Sequence, residues 1–153
     1  MKKIHWVLKF LWIWPPFLGT GIRIKSFSDD LSCIVVQMKT RFWSQNYFGT
    51  HYGGSLFSMT DPFYALMLVH ILGKEYIVWD KAAFIRYKVA TKRPVYARFE
   101  LSPEKIQQLK SELEQQHKIE PTFCIPITDE EGTTIALVER TLHIRRKDSV
   151  RKN

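Results

Sequence analysis

The segment Asn46 to Asp61, NYFGTHYGGSLFSMTD, holds the residues of this chain whose types and spacing best fit catalysis. Gly53-Gly54 stands where a polar loop gives way to an apolar run, so backbone N–H groups there would point outward with no side chain in the way. A helix N-terminus favours anions and developing oxyanions. Glycines open helices for packing reasons as well, so the pair alone does not decide. Asp61 is the sharper signal. It lies between Met59-Thr60 and Pro62-Phe63-Tyr64-Ala65-Leu66-Met67, in the most apolar part of the chain, where a carboxylate without a partner is costly. Two roles stay open for it: a working acid or base, or, with Thr60, the cap of a helical segment beginning at Pro62.

The other chemistry-bearing residues point less clearly. His5, His51, His70, His117 and His143 show no metal-ligand spacing, so no metal and no cofactor are expected. Cys33 and Cys124 sit in apolar, strand-like stretches without a CxxC partner, which argues against a disulfide scaffold or a zinc site. They read as small buried hydrophobes. Asp80-Lys81 interrupts an apolar strand and is expected to form a local ion pair, with Asp80 the second candidate for a working acid. Glu139 reads as a cross-strand partner for a basic residue. His70, near the end of the apolar helix, suits the helix dipole.

The elements that must position these residues follow from patterning. Ile22 to Phe27 and Leu31 to Thr40 read as a hairpin around Ser28-Asp29-Asp30. After an aromatic loop, Arg41 to Tyr52, comes one long apolar helix over Gly53–Leu72, closed by Gly73. Tyr76 to Ala90 and Val95 to Leu101 are strands. Ser102-Pro103-Glu104 opens a surface helix with a Ser cap, Pro in the first turn and an acid at the positive end. Ile119 to Thr128 and Thr133 to Arg146 complete the strands, around the turn Asp129-Glu130-Glu131-Gly132. A helix with no polar face must be covered all round, and the short connections favour antiparallel pairing. The fold class is therefore α+β: a single domain in which an antiparallel sheet curls around a long central helix, with an added N-terminal helix. A curled sheet leaves one face of the helix open, so a second subunit is expected to cover it.

Length and charge narrow the classes. At 153 residues, 45% hydrophobic, the chain builds one core. A net charge of +8 suggests an anionic partner, whether nucleic acid, membrane or a phosphorylated ligand. Part of it is local, since five basic residues and one acid lie from Arg145 onward, forming a basic tail at 147–153. No nucleic-acid-binding motif is legible, and the aromatics lie mainly in apolar runs, so no nucleic acid is expected. In the first 18 residues Trp6, Phe10, Ile13, Trp14 and Phe17 fall on one helical face, interrupted by Lys9 and ended by Pro15-Pro16. Such a helix can lie on an anionic membrane, making peripheral contact through 1–18 possible. Most such stripes instead cover the protein's own core, and that reading is preferred. Gly53–Leu72 approaches the length of a membrane span, but Asp61, Pro62 and His70 favour a buried helix. The expected location is cytoplasmic.

The run Asn46, Gly49, Tyr52-Gly53-Gly54 and Asp61 resembles the signature of hotdog-fold acyl-CoA thioesterases of the phenylacetic-acid-degradation type: Asn, a short loop, His-Gly-Gly, and an acid seven positions after the second glycine. From Trp14-Pro15-Pro16 through Tyr76-Ile77-Val78-Trp79-Asp80-Lys81 to Arg145 the chain resembles more closely a bacterial hotdog family of unassigned function. The resemblance implies a hotdog fold, paired as a homodimer or dimer of dimers with sites at the subunit interface. It implies Asp61 as the acid, the Gly53-Gly54 region as the oxyanion-binding amide, and Asn46 as the loop residue that orients water or substrate. One position departs from the motif: Tyr52 replaces the histidine, and His51 lies one residue earlier.

On this reading the substrate is an acyl-CoA or other carrier-bound acyl thioester, with coenzyme A part of the substrate. The backbone N–H of Gly54 would stabilise the oxyanion, and Asp61 of the facing subunit would serve as general base or nucleophile. Gly53, His51 and Tyr52 would line the substrate site. Arg86, Lys88, Lys92 and Arg93, with Arg145, Arg146 and Lys147, would grip the coenzyme A phosphates, unless they are a solvated turn and edge. A tyrosine is a poor base near neutral pH, so the alternative is a hotdog protein that binds acyl groups or acyl-CoA without cleaving them.

Overall fold

The computed structural model describes residues 2–147. The part of the basic tail beyond Lys147 lies outside the described residues. In chain order the elements are α1 (Lys2–Phe10), a 3₁₀ turn (Leu11–Ile13), α2 (Pro15–Leu18), β1 (Ile22–Phe27), β2 (Cys33–Met38), a second 3₁₀ turn (Phe42–Ser44), α3 (Gly53–Ser58), α4 (Phe63–Leu72), β3 (Tyr76–Tyr87), β4 (Val95–Glu100), α5 (Pro103–Gln115), β5 (Lys118–Ile119), β6 (Thr122–Asp129) and β7 (Thr134–Arg146). The strands form one antiparallel sheet in the order β1-β2-β4-β6-β7-β3, with short β5 beside β7.

The α+β expectation holds, and the apolar helix explains why. Phe63, Met67 and Leu68 of α4 are fully buried, and they join Ile34, Val36, Phe99, Ile125, Val138 and Leu142 of the strands in one core. The strand residues come from alternate positions, as a sheet with one buried face requires. Gly73 closes α4 at φ 99°, a conformation that favours glycine, and its N–H bonds the Val69 carbonyl at 3.3 Å. Ser102 caps α5 by accepting from the Lys105 N–H.

Four expectations change. The long helix is not continuous: Thr60-Asp61-Pro62 breaks Gly53–Leu72 into α3 and α4, because Pro62 cannot donate to the helix ladder. Cys124 is exposed and Cys33 half-buried, because both occupy the outward phase of their strands. Asp80 and Lys81 do not pair: the register shifts between Asp80 and Ala82, Lys81 is left as the extra residue of a bulge, and the two side chains find separate partners. Asp80 meets Arg140, and Lys81 reaches Glu120 at 2.6 Å. Glu139 faces Phe84 and Cys124 across the ladder and makes no ion pair among the described residues.

The N-terminal segment also departs from the preferred reading. Phe17 is buried, but Trp6, Phe10, Ile13 and Trp14 of the same stripe are exposed. Leu8, buried, and Ile4 and Leu11, packed against the core, provide the attachment instead.

Candidate active site

The two ends of α3 carry the candidate chemistry. At its start, Tyr52 occupies the cap position without a side-chain cap. The first helix bonds run from the Ser55 and Leu56 N–H groups to the Tyr52 carbonyl, leaving Gly53 and Gly54 N–H without an acceptor among the described residues. Both glycines pack closely against exposed tyrosine side chains. A Cβ on Gly53 would lie 2.9 Å from the Tyr87 hydroxyl, and one on Gly54 would lie 2.5 Å from the Tyr52 ring. A cavity of about 250 Å³ opens here, lined by Asn46, His51, Gly53, Leu56, Tyr87 and Thr91 among others. Burial and the neighbouring Tyr52 push the Tyr87 hydroxyl pKa up, keeping it a neutral donor.

The loop residues expected at the site mostly hold the loop. The Asn46 side-chain oxygen accepts from the Phe48 and Thr50 N–H groups, and its amide donates to the Thr50 hydroxyl and the His51 carbonyl. His51 is 6% exposed, with Nε2 2.8 Å from the Arg93 carbonyl and 3.0 Å from the Thr40 hydroxyl. Burial lowers its pKa, so the ring stays neutral. It ties the β3–β4 turn to the loop. Tyr52, by contrast, is largely exposed.

At the other end, Asp61 caps nothing: α4 begins behind Pro62 with no side-chain cap. Its carboxylate instead accepts from Arg140 Nη1 at 3.0 Å. Arg140, 3% exposed, also donates from Nε to the Thr60 hydroxyl and from Nη2 to the Phe57 carbonyl, and lies 5.0 Å over the Phe57 ring. Asp80 shares the same Nη1 at 3.3 Å. One guanidinium thus serves two carboxylates and every one of its nitrogens is used. Burial raises the Asp80 pKa; Arg140 opposes the rise and the charge of Asp61 adds to it. Asp61 remains 48% exposed, open to a ligand on the side away from Arg140.

Arg140 is not among the residues that the sequence motifs single out, yet its place in β7 carries a signal. It shares its strand phase with Val138, Leu142 and Ile144, all buried, so it is a cation on the core face of β7.

The expected phosphate grip does not assemble within one chain. Arg145 and Arg146 pair with Ile77 and Tyr76 at one end of β3, whereas Arg86 lies nine residues along it, about 30 Å away. Arg93 is already bound to Glu131 at 2.5 Å and to Asp129 at 3.8 Å. Arg86 and Lys92 are exposed. Among the described residues no group of acidic, His or Cys side chains is arranged to hold a metal.

Comparison with known proteins fits this frame. The sequence matches, over residues 5–144, the family described as domain of unknown function DUF4442. No curated protein matches it. Among solved structures, a Pseudomonas aeruginosa protein of unknown function, PA5026, described as a probable thioesterase, superposes with a TM-score of 0.78 at 17% identity, covering 95% of each chain. The Haemophilus influenzae thioesterase HI1161 gives 0.66 at 17% identity over 91% of this chain and 88% of its own. A Chlorobaculum tepidum protein of unknown function gives 0.75 at 12% identity over 95% and 96%. With its hotdog fold, a sheet wrapped round a central helix, and its match across nearly the whole sequence, the chain belongs to the family described as domain of unknown function DUF4442.

Proposed function

We propose that the protein hydrolyses an acyl-CoA or similar carrier-bound acyl thioester, at a site formed between two subunits. One observation carries the reading: Asp61 is an oriented, half-exposed carboxylate just beyond the end of α3, whose start offers two N–H groups without an acceptor among the described residues. The two ends are seven residues apart, about 10 Å along a helix, too far to act on one carbonyl from a single chain. A second copy would bring Asp61 of one subunit to Gly54 of the other. Support for such a pair comes from β3, an edge strand of twelve residues with exposed Trp79, Phe84 and Tyr87, and from exposed Val69 on α4.

In the reaction, water attacks the thioester carbon while Asp61 takes its proton. The carbonyl oxygen, now negative, accepts from Gly54 N–H. The C–S bond then breaks, the thiolate leaves with the proton, and a free carboxylic acid remains. Arg140 fixes the orientation of Asp61. Arg86 and Lys92, exposed and without an ion pair among the described residues, would meet coenzyme A phosphates. The unpaired thiols Cys33 and Cys124 suit a reducing, cytoplasmic setting.

A second reading, binding without cleavage, is favoured by Tyr52 at the motif's histidine position and by His51 being tied to Arg93. A screen of acyl-CoAs from short to long, read by free thiol, separates the two. Hydrolysis is expected, with Asp61→Asn losing roughly 100- to 10,000-fold in kcat at unchanged ligand affinity. Tight binding with no thiol released by the parent would establish the binder instead.

A further inference from the structure

The amino-terminal surface is built unlike the rest of the molecule. Trp6, at 64% exposure, stands with Phe10, Trp12, Ile13, Trp14 and Leu18 on the outside of the segment, while Leu8 and Phe17 pin it to the core. The 3₁₀ turn at Phe42–Ser44 continues this surface. Phe42 is 83% exposed, and Trp43 donates its indole N–H to the Gly19 carbonyl at 3.1 Å. Trp12, Leu18 and Trp43, with Arg23 and Arg41, line one shallow cavity of about 350 Å³.

Charge supplies the second observation. Residues 1–60 contain seven Lys and Arg, and their only acids are Asp29 and Asp30 in the β1–β2 turn. The guanidinium of Arg23 lies 5.5 Å from the Trp12 ring and that of Arg41 5.3 Å from the Trp43 ring. Lys9, Arg23 and Arg41 form no ion pair among the described residues. Aromatic side chains with cations over their rings match the headgroup boundary of a bilayer, where Trp rings seat and cations meet lipid phosphate. A second copy fits poorly, because it would press this cationic face against another. The face also adjoins β1, at the opposite sheet edge from β3.

We propose that residues 4–18 and the Phe42–Ser44 turn form a docking surface for anionic phospholipid bilayers. The Trp and Phe side chains enter the interface, and Lys9, Arg23 and Arg41 bind phosphate. The segment lies on the membrane and does not cross it. The proposal is independent of the hydrolase reading, since none of these residues belongs to the α3 site.

The test uses the full chain and vesicles of phosphatidylcholine with 30% phosphatidylglycerol, read by co-sedimentation and by Trp fluorescence. Binding is expected with a blue-shifted emission, weak on pure phosphatidylcholine and reduced by 0.5 M salt. Each cation near an anionic surface contributes about fivefold, so K9Q/R23Q/R41Q should weaken partitioning on the order of 100-fold. W6S/F10S/W14S, all exposed positions, should abolish the blue shift while circular dichroism stays native. A folded parent that ignores anionic vesicles overturns the proposal. So does binding to vesicles that the aromatic variant retains in full, or binding to duplex DNA as tight as to the vesicles, since either would reduce the surface to a nonspecific polycation.

Discussion

The two ends of α3 are made on opposite principles. At Gly53-Gly54 side chains are withheld, the two backbone N–H groups have no acceptor among the described residues, and a cavity opens at Gly53. At Thr60-Asp61 side chains crowd in, and Arg140 satisfies a hydroxyl, a carbonyl and two carboxylates at once. The difference separates binding from anchoring. The open end holds little of the fold together and can receive a charge that develops during a reaction. The closed end fixes an acid in place, at the cost of making the whole arrangement depend on one buried cation.

If that division is right, Arg140→Met should be the most damaging single change to stability. It leaves Asp80 half-buried and uncompensated, and the cost should be about 3 kcal/mol, the low end for a broken buried pair because Asp61 is half exposed. Urea unfolding measures it. Adding Asp80→Asn should restore part of the loss, and a loss below about 1 kcal/mol would mean that solvent already screens the knot.

The open end should respond the other way. Gly54→Ala sets a methyl against the Tyr52 ring, which is exposed and can swing aside, so stability should change by less than about 1 kcal/mol. Thioester turnover should nonetheless fall about tenfold or more, short of the roughly 100- to 1,000-fold of a lost oxyanion donor. Stability and kcat measured on the same preparation decide the point; a variant that unfolds without losing specific activity would reverse the assignment.

The smallest effect concerns the loop beside the open end. Burial holds His51 neutral below the pH at which a free imidazole takes a proton. As pH falls through about 6.5 the unfolded chain therefore gains a proton that the native chain refuses, and stability declines. His70, lowered by burial and by His5, contributes with the same sign. The difference in pH slope between the parent and His51→Gln isolates the loop's share, expected at about 1 kcal/mol or less between pH 7.5 and 5.5. An unchanged slope would free His51 from its anchoring role.

Much of the frame was legible because apolar periodicity is a local signal. The strands, the capped helix at Ser102 and the terminal Gly73 follow from residues within a few positions of one another. Asp61 stood out because a carboxylate in an apolar run needs a reason. Its partner was not legible, since Arg140 lies 79 residues away and looks like a surface cation until the phase of β7 is counted. The N-terminal stripe misled for a related reason. Helical spacing says that aromatics share a face but not which way the face turns, and the 3₁₀ turn at Leu11–Ile13 with Pro15-Pro16 redirects it.

Strand β7 holds one more implication, for how the chain reaches its native state. It follows every other strand in sequence yet sits between β6 and β3, pairing with both and with β5. The β3 partnership joins segments about sixty residues apart, a loop whose closure entropy must be met before the pairing repays it. Until β7 inserts, β3 has no neighbour on either side and Asp61 and Asp80 face each other without their shared cation. A chain interrupted ahead of Thr134 would therefore present an unpaired β3, a bare border of β6 and a pair of repelling acids, making the nascent protein prone to edge-to-edge association.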